Sequence, residues 1–385
     1  MQSRPSLFEK GTIEMTLQTK PNPLPHSDLY QLNGIDYVEF YVGNAKQAIH
    51  FYRTAFGFKP VAFCGFETGV RDRVSFVGQQ QGIRLMVTEA TSPAGVVSDH
   101  VALHGDAVRD IAFSCSDAAR AFDFAIRHGA KPIMEPTFLD DEYGRVVQAT
   151  VTAFGDLVHS FIERESYRGP FLPGFQPLNG GLPAETIGFK RVDHIAICVQ
   201  PGRLDECVEY YINVHGFHQS RAEDVSTEYS GMNSRVVQND SGNVIFVLIE
   251  PSEGRRTSII QEFLNFNGGS GVHHVACSTD NIIQTVQMLR GNGVEFTTTP
   301  ATYYENLEDR VGKIDEDVEI LCEQNILVDC DTNGYLMQIF SRPVQSRPTV
   351  FFEIIQRKGA DGFGSGNIKA LFEAVARDQV MRGNA

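Results

Sequence analysis

Three short segments, far apart in the chain, carry residues that could share a metal ion: His194 in VDHIAI (192–197), His274 in GVHHVA (271–276) and Glu353 in FFEIIQR (351–357). Two imidazoles and one carboxylate are the ligand set of non-haem Fe(II) oxygenases, which leaves open positions where substrate and O2 bind side by side. Each residue sits in an apolar, β-branched run that reads as a buried strand, where an unpaired polar side chain is costly. Singly, each has a plainer reading. A buried histidine commonly finds a hydrogen-bond partner, and Glu353 could pair with Arg357 or Lys358. Three ligand types in equivalent settings favour the metal. GVHHVA offers two histidines, and neighbours on a strand face opposite sides; matching VHHVA to VDHIA selects His274 and turns His273 away.

The elements that must position these residues repeat at long range. LNGIDYVEFYVGNAKQAIHFYRTAFGF (32–58) lines up with FKRVDHIAICVQPGRLDECVEYYINVHGF (189–217). Each shows strand alternation, a polar break, an amphipathic helix with an aromatic pair, then Gly-Phe. DAVRDIAFSCSDAARAFDFAIRHGAKPI (106–133) matches GSGVHHVACSTDNIIQTVQMLRGNGVEF (269–296) in the same way. The alignment sets Tyr37 opposite His194, Asp110 opposite His274 and Ser160 opposite Glu353, so the first half carries the frame without the ligands. A Pro- and Gly-rich passage, 167–185, reads as a linker between the halves.

Composition bounds the function. The 385 residues are 42% hydrophobic and 21% charged, as in ordinary globular proteins, and a net charge of −15 argues against a nucleic-acid partner. No apolar run is long enough to cross a membrane, and the N-terminus lacks the apolar core of a secretory signal. Seven scattered cysteines without CxxC spacing fit reduced thiols, and together these features predict a cytoplasmic protein.

The chain resembles the 4-hydroxyphenylpyruvate dioxygenase and 4-hydroxymandelate synthase family of the vicinal-oxygen-chelate superfamily. The resemblance runs from about residue 32 onward and is carried by MNSRVVQN (232–239), GVHHVA, GYLMQIFSRP (334–343), RPTVFFEIIQRKGADGFGSGN (347–367) and IKALFEAV (368–375). It implies an α+β fold of two glyoxalase-like domains, each of paired βαβββ modules on a curved mixed sheet, with a C-terminal helix closing the site. The expected divisions are an extension over 1–30, a metal-free domain over 31–166, a linker over 167–186 and a catalytic domain over 187–385. It further implies His194, His274 and Glu353 as ligands of one Fe(II), an α-keto acid and O2 as substrates, and a homodimer or homotetramer formed through the N-terminal half. The substrate's own keto acid would chelate the metal, lose CO2 and be hydroxylated. The rival outside enzymes is a metal-free binding protein on the same frame.

By the same resemblance Gln338 and Phe340 border the substrate, and Ser234 is a polar contact. Homogentisate-forming members carry Asn where this chain has Ile249 and Phe where it has Ile368; hydroxymandelate synthase carries isoleucine at both. The synthase's Thr and Tyr are here Val247 and Phe372. Family glutamines are replaced by Ile259 and His273, which makes the expected pocket unusually apolar. Gly362, Gly364 and Gly366 read as a tight turn before the closing helix, with Asn367 near its N-cap.

Overall fold

The computed structural model describes residues 30–178, 186–226, 231–252 and 258–368. Strands β1 (Leu32–Tyr41), β2 (Lys59–Cys64), β3 (Arg73–Gln80) and β4 (Ile83–Ala90), with helix α1 (Ala45–Phe56) after β1, form a first βαβββ module. Helix α2 (Val96–His104) leads to a second: β5 (Ala107–Cys115), α3 (Ala118–Arg127), β6 (Pro132–Asp141), β7 (Gly144–Thr152) and β8 (Val158–Glu163). A two-residue strand, β9 (Gln176–Pro177), follows. The third module is β10 (Phe189–Cys198), α4 (Leu204–His215), β11 (His218–Ser226), β12 (Gly231–Gln238) and β13 (Ile245–Ser252). After α5 (Ile259–Asn267) comes the fourth: β14 (Gly271–Thr279), α6 (Ile282–Gly291), two short helices α7 (Leu307–Val311) and α8 (Val318–Gln324), then β15 (Leu327–Asp331), β16 (Gly334–Phe340) and β17 (Phe351–Lys358).

Each half is one mixed sheet, ordered β6-β7-β8-β5-β1-β4-β3-β2-β9 and β11-β12-β13-β10-β14-β17-β16-β15. At the centre of each, the first strands of the two modules run antiparallel, β1 with β5 and β10 with β14. Their outer neighbours are parallel, β4 and β8 in one sheet, β13 and β17 in the other. The repeated Gly-Phe ends both first helices in the same way. Gly57 (φ 72) and Gly216 (φ 68) take the left-handed conformation that glycine adopts at least cost. The N–H groups of Phe58 and Phe217 then reach back to Tyr52 and Tyr211, and both phenylalanines are buried.

One apolar core spans both halves. Phe40, Phe56 and Phe113 from the first share it with Phe246, Val272 and Phe352 from the second. Each fully buried side chain of this size contributes about 1.5–3 kcal/mol. The passage expected as a linker does not leave the first sheet at once. Tyr167, Phe171 and Leu172 are buried with Tyr37 and Met86 on that sheet, and β9 pairs with β2. Its apolar residues, rather than its prolines and glycines, decide where it lies. All seven cysteines are free. Among the described residues no helix is long and apolar enough to cross a membrane.

Candidate metal centre

Strand register brings the three ligand candidates together. His194 pairs with Ala276 across β10 and β14, and Ala276 pairs with Glu353 across β14 and β17, so one small residue separates the two. His274 lies opposite Ala196, one step along the same face. The Nε2 atoms of His194 and His274 stand 3.4 and 3.2 Å from Glu353 Oε2. Two ligands at right angles with bonds of about 2.1 Å are about 3.0 Å apart, so little movement would seat an ion. All three residues are buried, and Glu353 Oε1 has no hydrogen-bond partner. A buried, unpartnered carboxylate oxygen calls for a cation. This donor set fits a divalent transition metal.

The charges agree with that reading. Burial alone would lift Glu353, but His194 and His274 outweigh it and hold its pKa near 2. Burial alone would lower His194, yet Glu353 and Asp193 raise it to about 9. His274 is lowered, by burial and by His194. Positive charge is therefore favoured at His194, beside an ionised carboxylate, the place a metal would take.

A second layer fixes the first. Asp193 Oδ1 lies 2.9 Å from His194 Nδ1, and accepting that N–H leaves Nε2 free for a metal. Arg357 grips both oxygens of Asp193, at 2.7 and 2.9 Å, and donates to the carbonyls of Ala360 and Gly362. Arg357 thus pairs with Asp193, not with Glu353. Asp193 meets its own neighbour because the register slips between Val192 and His194, a bulge that takes it out of strand alternation.

A second slip, between Ala196 and Ile197, places an unpaired residue at His273. Strict alternation would turn His273 away, and the structure corrects that expectation. His273 and His274 both line the cavity, with Nδ1 atoms 3.3 Å apart, and the His273 ring packs against Phe263 and Phe351.

That cavity has a volume of about 40 Å³. Of the residues expected to border substrate, Val247, Ile249, Ile259, Gln338, Phe340 and Ile368 line it. Ser234 sits opposite Ile249 but donates its hydroxyl to the Glu223 carbonyl at 2.9 Å and is not in the lining. Phe372 lies outside the described residues. Met232, Ile260 and Phe363 also line the cavity; their plain apolar character gave no signal in the sequence. A helical turn starts at Ser365, and its N-terminal N–H at Gly366 is capped by Asp329 at 2.9 Å. Asn367 lies in this first turn, near the N-cap as expected, with its side chain buried between Gln338 and Tyr303.

The first half retains this scaffold without the ligands. Tyr37 and Ala112 pair as His194 and Ala276 do, and Glu39 faces Asp110 as Ala196 faces His274. Tyr37 and Ser160 both donate to Asp110, closing the position with hydrogen bonds. Asp36 stands at the matching bulge and is held by Arg164, which also reaches the Phe171 carbonyl.

Comparison with known proteins agrees with this geometry. The Glyoxalase/Bleomycin resistance protein/Dioxygenase superfamily pattern matches residues 34–147 and 191–315, one stretch in each half. The 4-hydroxyphenylpyruvate dioxygenase of Yarrowia lipolytica is 39% identical over 93% of this chain and 95% of its own. That of Dictyostelium discoideum is 41% identical over 92% of this chain and 100% of its own. The chain belongs to the 4-hydroxyphenylpyruvate dioxygenase family. A mutant 4-hydroxymandelate synthase from Streptomyces coelicolor, 35% identical, superimposes with a TM-score of 0.80 over 90% of this chain and 99% of that one. The family and the synthase share the vicinal-oxygen-chelate frame seen here, and the chain is a dioxygenase of this type.

Proposed function

We propose that this chain is an Fe(II)-dependent dioxygenase that decarboxylates and hydroxylates 4-hydroxyphenylpyruvate, or a close arylpyruvate, with O2. His194, His274 and Glu353 are the metal ligands. The observation that carries the reading is their convergence, with Glu353 Oε1 unpartnered, at an apolar cavity. Bound there, Fe(II) would supply open coordination positions for the keto acid and O2 and the redox capacity of the reaction. The protein's own residues do the rest. Asp193 and Arg357 hold His194 in the tautomer that presents Nε2. Ile249, Ile259, Phe340 and Phe363 keep water from the reacting atoms, and the Gln338 amide is a polar group facing the ligand. A space of about 40 Å³ holds at most a few waters, so an arylpyruvate enters when wall residues such as Phe363 and Ile368 move outward.

Ile249 and Ile368 support hydroxylation at the benzylic carbon, giving 4-hydroxymandelate, because a branched aliphatic wall lets the ring tilt where a flat phenylalanine would hold it. A second reading, ring hydroxylation to homogentisate as in tyrosine catabolism, is favoured by the whole-chain similarity to enzymes named 4-hydroxyphenylpyruvate dioxygenase. Anaerobic reconstitution with Fe(II), followed by air and 4-hydroxyphenylpyruvate and mass spectrometry of products, tests both. Hydroxymandelate as the main product supports the pocket reading, and homogentisate establishes the second. No turnover with iron bound removes this substrate and points to a less polar keto acid such as phenylpyruvate, in keeping with Ile259 and His273. A protein that takes up no iron would be a metal-free binding protein. We also place the enzyme in the cytoplasm as a homodimer or homotetramer. Ile133 and Phe138, exposed on the edge strand β6, support association through the first half, which light scattering checks.

A further inference from the structure

A second group of metal-ligating side chains stands at the seam of the two halves, outside the His194–His274–Glu353 centre. His100 and His104, four residues apart on α2, share one face of that helix. Asp156, in the turn between β7 and β8, meets them. One potential ligand atom from each of the three lies within 4.8 Å of the others. Both histidines are buried, at 3% and 4% exposure, while Asp156 is open to solvent.

Hydrogen bonding assigns each group a part. His104 Nδ1 is 2.5 Å from the Asn267 carbonyl at the end of α5, and its Nε2 is 3.2 Å from Asp156 Oδ2. With Nδ1 turned to the Asn267 carbonyl, Nε2 is the ring atom that faces the Asp156 carboxylate. Nδ1–H donating to a main-chain carbonyl is the usual support of a histidine that binds metal through Nε2. Two ligands of a tetrahedral zinc are about 3.3 Å apart, close to the spacing found here. His100 supplies the independent sign: its Nδ1 is buried and has no partner. Arg109 donates to the main-chain carbonyl of Asp156, and this bond leaves the carboxylate oxygens for other partners.

We propose that His100, His104 and Asp156 form a second divalent-cation site, of the zinc class, with its fourth position open to water. It would tie α2 to the β7–β8 turn within the first half, while the His104 hydrogen bond to the Asn267 carbonyl connects the site to the end of α5 in the second. The site is independent of the dioxygenase reading.

The test uses the full-length chain, stripped with a chelator, desalted and titrated with Zn(II), with bound metal counted by mass spectrometry and calorimetry. The expected wild-type result is about two equivalents. Glu353→Ala removes one, and His100→Ala or Asp156→Asn removes or greatly weakens the other. In the Glu353→Ala background, Co(II) gives the intense absorption of a tetrahedral ion, which His100→Ala abolishes. Because His100 is buried, Asp156→Asn in its exposed turn carries the test if His100→Ala fails to fold. Zinc uptake unchanged by Asp156→Asn overturns the proposal. So does a single wild-type equivalent that Glu353→Ala abolishes.

Discussion

At the scale of residues, the two adjacent histidines of β14 separate ligation from wall-building. His194→Ala, His274→Ala and Glu353→Ala are each expected to lower iron content sharply and abolish turnover. His273→Ala should keep its iron, because His273 packs on Phe263 and Phe351 and is outside the group around Glu353. Iron lost to the same degree from the His273 variant would reverse the assignment. Glu39, which occupies the position of Ala196 in the half that lacks the His–His–Glu trio, gives a prediction of opposite electrostatic sense. Burial, then Asp110, raises its pKa from 4.5 to about 7. Between those values the folded chain binds more protons than the unfolded one, so this group's contribution to stability falls as pH rises through that window and is level above it. Glu39→Gln, which can still accept from Thr88, is expected to stabilise the protein by about 1 kcal/mol at pH 8 and to have no such effect at pH 4. Urea unfolding at the two pH values checks it; an equal gain at both would mean that ionisation is not the cause.

At the scale of elements, each central strand pair places its site by combining alternation with a bulge. Alternation puts His194, Ala196 and the residues paired with them on one face. The bulges at Asp193 and His273 then add side chains that alternation would send elsewhere. Asp193→Asn is expected to lower metal affinity by about 10–100-fold, since the carboxylate both accepts from His194 and anchors Arg357. Calorimetric titration of metal into variant and wild type measures this, and unchanged affinity would reduce the Asp193–Arg357 pair to a structural brace. The sequence made the two halves, their repeated strand-helix-strand units and the trio of ligand candidates readable, because hydrophobic period and residue type are local properties, and the family resemblance implied the full βαβββ order. It did not reveal the bulges, which differ from regular strand only in how a neighbouring strand registers. Nor did it reveal the pairing of Asp193 with Arg357, partners 164 positions apart. The passage after Ser166 read as a linker because Pro and Gly dominate it, yet Phe171 lies under Arg164 as Phe363 lies under Arg357, with 5.2 Å from guanidinium to ring in both. The chain leaving the last strand of each half therefore turns back over that half's concave face, and at the metal centre this return segment closes the cavity.

At the scale of the molecule, the halves are not separable supports for one site. The Phe352 ring, next to Glu353 in sequence, packs 4.8 Å from Phe56 of the first half. Gln80 accepts from the N–H groups of Gly188 and Phe189 where the second half begins, and its amide donates to Phe56. Tyr30 reaches His215, and Gln345 accepts from the N–H of Asp106. Alternation explains why this strand is tied in this way: Glu353 points to His194 and His274 from one face of β17 while Phe352 fills the shared core from the other. Loss of the first half would thus strip the back of the strand that supplies the carboxylate. Phe352→Ala is expected to destabilise the whole chain by about 3–5 kcal/mol, with the two halves still unfolding together. Denaturant titration of the iron-loaded protein, followed by far-ultraviolet circular dichroism and by iron release, reads both points. Coincident transitions, shifted together in the variant, are the expected outcome. Iron released well before the main loss of secondary structure would show that the metal-bearing sheet unfolds as a unit of its own, and that the shared core does not couple the halves.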